Sequence, residues 1–491
     1  MKYTIRTIVL LSVLIAGLPA AGFGQRLPGQ AVTYADFNYI NDIAASMSRA
    51  YFATSSGIIR YDYTRRRWDT PMTGAVGLEG TDVYRVWVNT FDDKLYARTD
   101  DGDFEYNSLF DTWSYVDEIP DLRTNSRHLA VPNTMFPPFG YNYSAGGFLI
   151  DPFGRSFRIT DILDDGTGSV WIGTWGYGAA TASSVTDVMK LIPYGLLQDQ
   201  VDVILEDDSI LWVTGRIQNS YRTGISGFNR NDSGFVYIES GITNDFPAVD
   251  IACLAADSQA IYIGTAIGLL VYDRQLNRVT DQMNRRSGLT DDEVTSLELI
   301  GDTLYVGTAG GLTLLDFMAD SVLYVNPGEF INQTIYAIKR LNDFVWIAAS
   351  SGAYRLSLKT GKLQRYQDPK MVLFNEVYSI AVYEDEVWFA SDGGVVMLNT
   401  ATGEAQEFPL QSALFRPRAL AANSDIAAVG SDRGFTLLFR GERMPYSREF
   451  SIDDGLPSTY VNALLLDGDY LWVGSDRGLT RFWWNNPQRV D

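Results

Sequence analysis

Leu304-Tyr-Val-Gly-Thr-Ala-Gly-Gly-Leu312 is the stretch that decides the fold, because the chain repeats it. Leu471-Trp-Val-Gly-Ser-Asp-Arg-Gly-Leu479 and Ile261-Tyr-Ile-Gly-Thr-Ala-Ile-Gly-Leu269 match it closely. Val345 to Gly352 and Val387 to Gly394 follow the same plan, and weaker copies start at Tyr51, Leu95, Val170, Leu211 and Ile426. The aromatic of each copy, or its replacement, falls at Phe52, Tyr96, Trp171, Trp212, Tyr262, Tyr305, Trp346, Trp388, Ala427 and Trp472. Successive gaps are 44, 75, 41, 50, 43, 41, 42, 39 and 45 residues. A period of about 43 residues is what a four-stranded propeller blade needs, so the expected fold is an all-β propeller of about ten blades.

The reading within one unit agrees. Val294 to Leu299 is a strand, Gly301-Asp302 a tight turn, Leu304 to Thr308 a second strand, Ala309 to Gly311 another turn and Leu312 to Asp316 a third strand. Gly-Asp between apolar runs marks a hairpin, since primed turns need positive φ. A Trp or Tyr at one fixed place per unit reads as packing between sheets, not as a ligand box. The ends of the chain complement each other. The last unit supplies three strands and stops, whereas Ala31-Val-Thr-Tyr34 is an extended segment with no unit of its own. Adding it to the final sheet would remove an exposed edge and close the circle.

Ile261 to Asp273, Leu304 to Asp316 and Leu471 to Leu479 carry an aromatic strand, Gly-Thr or Gly-Ser, then Gly-Leu. In this the chain resembles the two-component regulator propeller repeat family, and the resemblance covers nearly all of it beyond the N-terminus. It implies a propeller of the kind found in periplasmic sensing domains and in exported proteins without a kinase. It does not carry signalling over, because fold does not fix function. Ten units can close one wide ring or split into two smaller ones. No Pro/Gly/Ser-rich linker separates them, which favours one ring.

The N-terminus reads as an export signal: Lys2 and Arg6, an apolar run from Ile8 to Leu18, then small residues from Pro19 to Gly24. The expected division is a signal peptide over residues 1–24 and a propeller over 25–491. No later run is long and apolar enough to span a bilayer. Net charge is −21, or −23 without Lys2 and Arg6. Such a surface disfavours nucleic acid, whose phosphates need clustered Lys and Arg, and it favours solubility. Cys253 is the only cysteine, so no disulfide forms within the chain, and a buried inert thiol is expected.

Function is sought where one unit departs from the others. The 75-residue gap holds an insertion at about 121–151 that includes His128, the only histidine, and Met135-Phe-Pro-Pro-Phe-Gly-Tyr-Asn-Tyr143. The third unit has Trp175-Gly-Tyr-Gly178 where others have small or polar turn residues, and the fourth lengthens the equivalent turn to Gly215–Gly224. In a propeller these loops share one face, so Tyr141, Tyr143, Trp175, Tyr177, Arg216 and Arg222 are the expected ligand-binding residues. Aromatics beside Arg suit a protein partner, a peptide or a sugar face. The competing expectation is that the insertion caps the ring and buries its own aromatics, with Gly147 to Ile150 as an extra strand.

Catalytic chemistry finds few supports. A catalytic zinc wants several His or Cys ligands, and His128 and Cys253 are single. No Gly-x-Ser-x-Gly elbow or phosphate-cradling glycine loop is present. Asp164-Asp165-Gly-Thr-Gly-Ser-Val-Trp171 resembles an Asp-box turn, but its Trp falls two places late, so it reads as a structural turn. Asp100 to Asp103 and Asp453 to Gly455 offer oxygens without the EF-hand spacing for calcium. The expectation is therefore an exported, non-catalytic module without cofactor or metal that binds a protein partner or scaffolds an extracellular assembly. Glycan binding is the alternative, and a glycosidase or lyase ranks below both.

Overall fold

The computed structural model describes residues 29–74, 77–78, 82–130, 135–144, 146–183, 188–218, 220–241, 244–316, 321–323, 328–367, 375–408, 416–440 and 446–487. The expected signal peptide, residues 1–24, lies outside them. Ten antiparallel sheets follow one another along the chain. We number them blades one to ten. Their inner strands are Ile40–Ala45, Val83–Val88, Ser156–Asp164, Val203–Asp207, Ile251–Ala256, Val294–Ile300, Ile335–Leu341, Val377–Tyr383, Ala419–Ala422 and Val461–Asp467.

The repeat has a direct physical reading. The Thr or Ser after the glycine of the second strand donates its hydroxyl to the carbonyl of the glycine that opens the third, as in Thr265 to Gly268 (2.7 Å) and Ser475 to Gly478 (3.1 Å). The aromatic is held by a carboxylate near the preceding turn. Trp212 Nε1 donates to Asp207 (2.8 Å), Trp472 Nε1 to Asp467 (3.3 Å) and the Tyr262 hydroxyl to Asp257 (2.9 Å). The Asp-box-like turn belongs to this set: Asp165 accepts from Thr167 N, Ser169 N and Trp171 Nε1. Part of the acidity is thus structural.

The closure strand forms as expected. Ala31–Tyr34 pairs antiparallel with Gly478–Trp483, Ala31 opposite Phe482 and Tyr34 opposite Leu479. Thr33 and Thr480 bond hydroxyl to hydroxyl at 2.9 Å in the interior. Gly478, at φ +118°, has no room for a Cβ because the Tyr34 carbonyl occupies that place.

The number of blades in the ring differs from the expectation of ten. Inner strands of blades four to ten pack each on the next, and that of blade ten packs on that of blade four. The second-strand glycines show the same order. A Cβ on Gly264, Gly307 or Gly430 would meet Val294, Ile335 or Val461, the first residues of the following blades. A Cβ on Gly474 of blade ten would meet Val201, just before the inner strand of blade four, at 2.7 Å. Trp472 accordingly packs with Leu211, Val213 and Phe228 of blade four, and Arg230 of blade four pairs with Asp467 of blade ten at 3.0 Å. Seven blades close the ring.

Blades one to three form a separate arc in the order three, one, two. A Cβ on Gly173 of blade three would meet Ile40 of blade one at 2.6 Å. Blade one then packs on blade two through Ala53, Ile58, Val83, Val86 and Leu95. The outer face of blade two carries Arg98 paired with Asp103 at 2.7 Å, with the guanidinium 5.4 Å from the Trp87 ring. At the other end the insertion covers blade three: Leu149, Met135, Leu129, Tyr141 and Tyr143 pack on Val170, Ile172 and Ala180. Phe148–Ile150, Asn142–Ser144 and Arg127–His128 extend that sheet to seven strands. A one-ring reading failed because the connections between arc and ring are packed, not flexible. Ala35, Phe37, Tyr194, Leu196 and Leu197 are all buried. Rings run without a break across the junction, Tyr34–Phe235 at 6.0 Å, Phe235–Tyr194 at 5.3 Å and Tyr194–Trp68 at 5.1 Å.

Candidate functional site

The three elaborated loops meet where arc and ring adjoin, and most of their polar and aromatic groups are used up there. Arg222 is 4 % exposed. Its guanidinium lies 4.5 Å from the Tyr177 ring and 5.3 Å from the Tyr237 ring, and pairs with Glu239 at 2.9 Å. Arg155 pairs with the same carboxylate at 2.7 Å and with Asp151 at 2.6 Å. Burial alone would favour neutral forms. The two arginines outweigh it and hold Glu239 below its ordinary pKa, while Glu239 holds Arg222 above its own. Tyr141 and Tyr177 bond hydroxyl to hydroxyl at 2.7 Å. Blade three and its insertion are thereby fastened to blade four by a desolvated ion network.

Of the six residues expected to bind a ligand, Tyr141, Tyr177 and Arg222 come together in this cluster. Tyr143 is half-buried with its hydroxyl 4.0 Å from the Met189 sulfur. Arg216 stands apart, exposed and held by Asp202 at 3.1 Å. Trp175 remains 36 % exposed, its ring 5.1 Å from Tyr39. Tyr221, 51 % exposed, lies 6.2 Å from the same Tyr39 ring and donates its backbone N–H to the Tyr39 hydroxyl. Trp175 and Tyr221 flank Gly176, where a Cβ would strike the Tyr221 ring. Sequence reasoning missed Tyr39 and Tyr221, because nothing local marks an aromatic that becomes a platform only when two bodies meet.

The insertion and the turn that follows it expose other aromatics that the capping role does not use. Phe136 is 64 %, Phe139 fully, Phe148 37 % and Phe153 40 % exposed. Exposed aromatics on a rigid scaffold are candidates for interaction with a partner.

Titratable groups gather in two places. Asp36 and Asp199 face each other inside the junction, with Asp36 N donating to Asp199 Oδ1 at 2.7 Å. Burial and then the neighbouring carboxylate push Asp36 up to about 8; burial also raises Asp199. His128, Asp42 and Asp161 converge in the arc, where His128 Nδ1 lies 2.8 Å from Asp161 Oδ1. Nothing local in the chain marks that convergence, since the three residues lie up to 119 positions apart. Burial pushes the Cys253 thiol up, which makes it a poor nucleophile. Beside Asp199, Arg477, Ser55 and Thr73 a cleft of about 560 Å³ opens between ring and arc.

Together these features define a β-propeller protein, a closed seven-blade ring bearing a capped three-blade arc. No family model matches the sequence, and no curated protein matches it. Solved structures resemble the fold. PorZ, a surface component of the type-IX secretion system of Porphyromonas gingivalis, superposes with a TM-score of 0.50 at 13 % identity over 92 % of this chain and 69 % of its own. The extracellular domain of the proposed one-component system BT4673 from B. thetaiotaomicron gives 0.45 at 14 % identity over 92 % and 71 %. The WD40 repeats of RRP9 give 0.46 at 14 % identity over 58 % and 94 %. At such identities the likeness is one of fold. No helix among the described residues is long and apolar enough to cross a membrane.

Proposed function

We propose that this chain is an exported, non-catalytic propeller that binds a protein partner and scaffolds an assembly outside the cytoplasm. The supporting observation is the insertion on blade three, which caps the arc through Leu149 and Met135 and leaves Phe136, Phe139 and Phe148 exposed. Exposed phenylalanines on a rigid support become favourable when a partner covers them. The basic and apolar pattern before Gln25 supports export. PorZ, similar in fold, is itself a surface component of a secretion system. The test is affinity capture from the native source with the wild type and with Phe136→Ser/Phe139→Ser. A partner retained by the wild type and lost by the variant supports the reading; equal capture by both overturns it.

Trp175 and Tyr221 favour a second reading, sugar binding, since two half-open rings beside a glycine offer aromatic faces on which a sugar can stack. Of the six residues expected to contact ligand, Trp175 is the one this reading keeps. Oligosaccharide binding lost in Trp175→Ala, with partner capture unchanged, would install it in place of the first.

A further inference from the structure

Eight inner strands carry a β-bulge, and where its contacts are given the residue after the bulge meets the following blade: Ser296 Oγ donates to Ile335 O (2.9 Å), Asp42 accepts from Val86 N and Asp161 from Ile43 N. In five blades of the ring that residue is Cys253, Ser296, Ala337, Ser379 or Ala463. In the arc it is Asp42, Arg85 or Asp161. Carboxylates therefore occupy this place in blades one and three, which are neighbours. The strand Arg127–His128 pairs across the inner strand of blade three and sets the sole histidine over both of them.

Ligand atoms of Asp42, Asp161 and His128 lie within 4.8 Å of one another. The carboxylates are oriented by backbone donors: Asp42 Oδ2 accepts from Val86 N (3.0 Å), Asp161 Oδ2 from Ile43 N (3.0 Å) and Asp161 Oδ1 from Ile162 N (2.8 Å). Hydrogen bonds of this kind hold the coordinating carboxylates of metal sites in place. Asp42 has no ion-pair partner within 4.0 Å among the described residues, although it is half-buried beside a second carboxylate. Burial accordingly raises Asp42, and the hydrogen bond to Asp161 raises His128. A cavity of about 650 Å³ opens at His128, with Arg98, Asp117 and Ser126 also on its walls. It gives solvent access to the imidazole.

We propose that Asp42, Asp161 and His128 form a binding site for a divalent transition-metal ion of the zinc class. One imidazole and two carboxylates, with water completing the shell, match borderline ions; a nitrogen ligand and so few oxygens disfavour calcium and magnesium. The ion would join the inner strands of blades three and one to the insertion, and so clamp an arc that has no ring closure of its own.

The test uses the full chain stripped of metal with a chelator and titrated calorimetrically with zinc chloride, with calcium and magnesium chlorides as controls. One zinc ion per chain is expected, with a rise in the unfolding temperature on zinc addition and none with calcium. His128→Gln, whose side chain is solvent-exposed and retains a hydrogen-bonding amide, should weaken zinc at least tenfold while keeping the wild-type circular dichroism. Asp42→Asn is the second variant and should weaken it likewise. Absence of stoichiometric zinc binding by the wild type, or equal affinity in a folded His128→Gln, would overturn the proposal.

Discussion

If blade ten closes on blade four, Gly474 and Val201 are in contact and must behave as a coupled pair. A methyl added in Gly474→Ala would lie 2.7 Å from Val201 Cγ1, 2.9 Å from the Val201 carbonyl oxygen and 3.1 Å from the Ala463 Cβ. Overpacking of that order costs about 1–3 kcal/mol. Val201 is 1 % exposed, so Val201→Ala loses two buried carbons at about 0.8 kcal/mol each plus a cavity term, about 2 kcal/mol. In the double variant the new methyl enters the space that Val201 vacates. The carbonyl stays where it was, so relief is partial, and we expect a favourable coupling of about 1 kcal/mol. Denaturant unfolding of the four proteins, followed by tryptophan fluorescence, completes the cycle. Additivity to within about 0.5 kcal/mol would refute closure at this seam. It would do so decisively if Gly173→Ala coupled to Val201→Ala, because a ring of ten places blade three, not blade ten, next to blade four.

Other outcomes follow from the junction and the core. Arg222→Met should cost about 3–5 kcal/mol, since Glu239 would keep one cation where the site holds two; a neutral result would show that the network does not fasten arc to ring. Asp36 has its folded pKa raised above the ordinary carboxylate range, so the native state binds the extra proton, and stability must fall as pH rises from that range through about 8. Asp36→Asn should flatten this dependence and gain most at the alkaline end; an unchanged pH profile of the denaturation midpoint would contradict it. The Cys253 thiol should resist a soluble disulfide reagent in the native protein and react on unfolding, and prompt native labelling would place it elsewhere than against Gly264 and Val294.

What could be read from the sequence was whatever repeats. Blade type, the hairpin turns and the closure strand each rest on a short local pattern, and the pairing of Ala31–Tyr34 with Gly478–Trp483 follows from one missing edge at each end of the chain. The partition into ring and arc was also written locally, but in contacts that periodicity does not expose. Gly474 looks like Gly264 or Gly307 in its own unit, and only the identity of the residue opposite it, Val201 instead of Ile40, says that three blades have left the circle. Linker composition misled because Ala35 to Tyr39 and Ile192 to Gln200 are buried spacers with side chains to pack, so they resemble strands more than hinges.

The same logic explains why the candidate site changed character. A loop that departs from its repeat must do something its siblings do not, and sequence alone cannot say whether the target lies outside the protein or inside it. For Tyr177 and Arg222 the target is inside: blades three and four, consecutive in the chain, do not pack as neighbours in one ring, and their enlarged loops supply the contact that ring geometry would otherwise have given. The insertion serves both ends, since a terminal blade must have its apolar face covered whatever else the cover does. Residues that cover it, such as Leu149 and Met135, are therefore uninformative about function. Residues on the same segment that stay exposed, Phe136 and Phe139 above all, are the ones the proposed partner would cover.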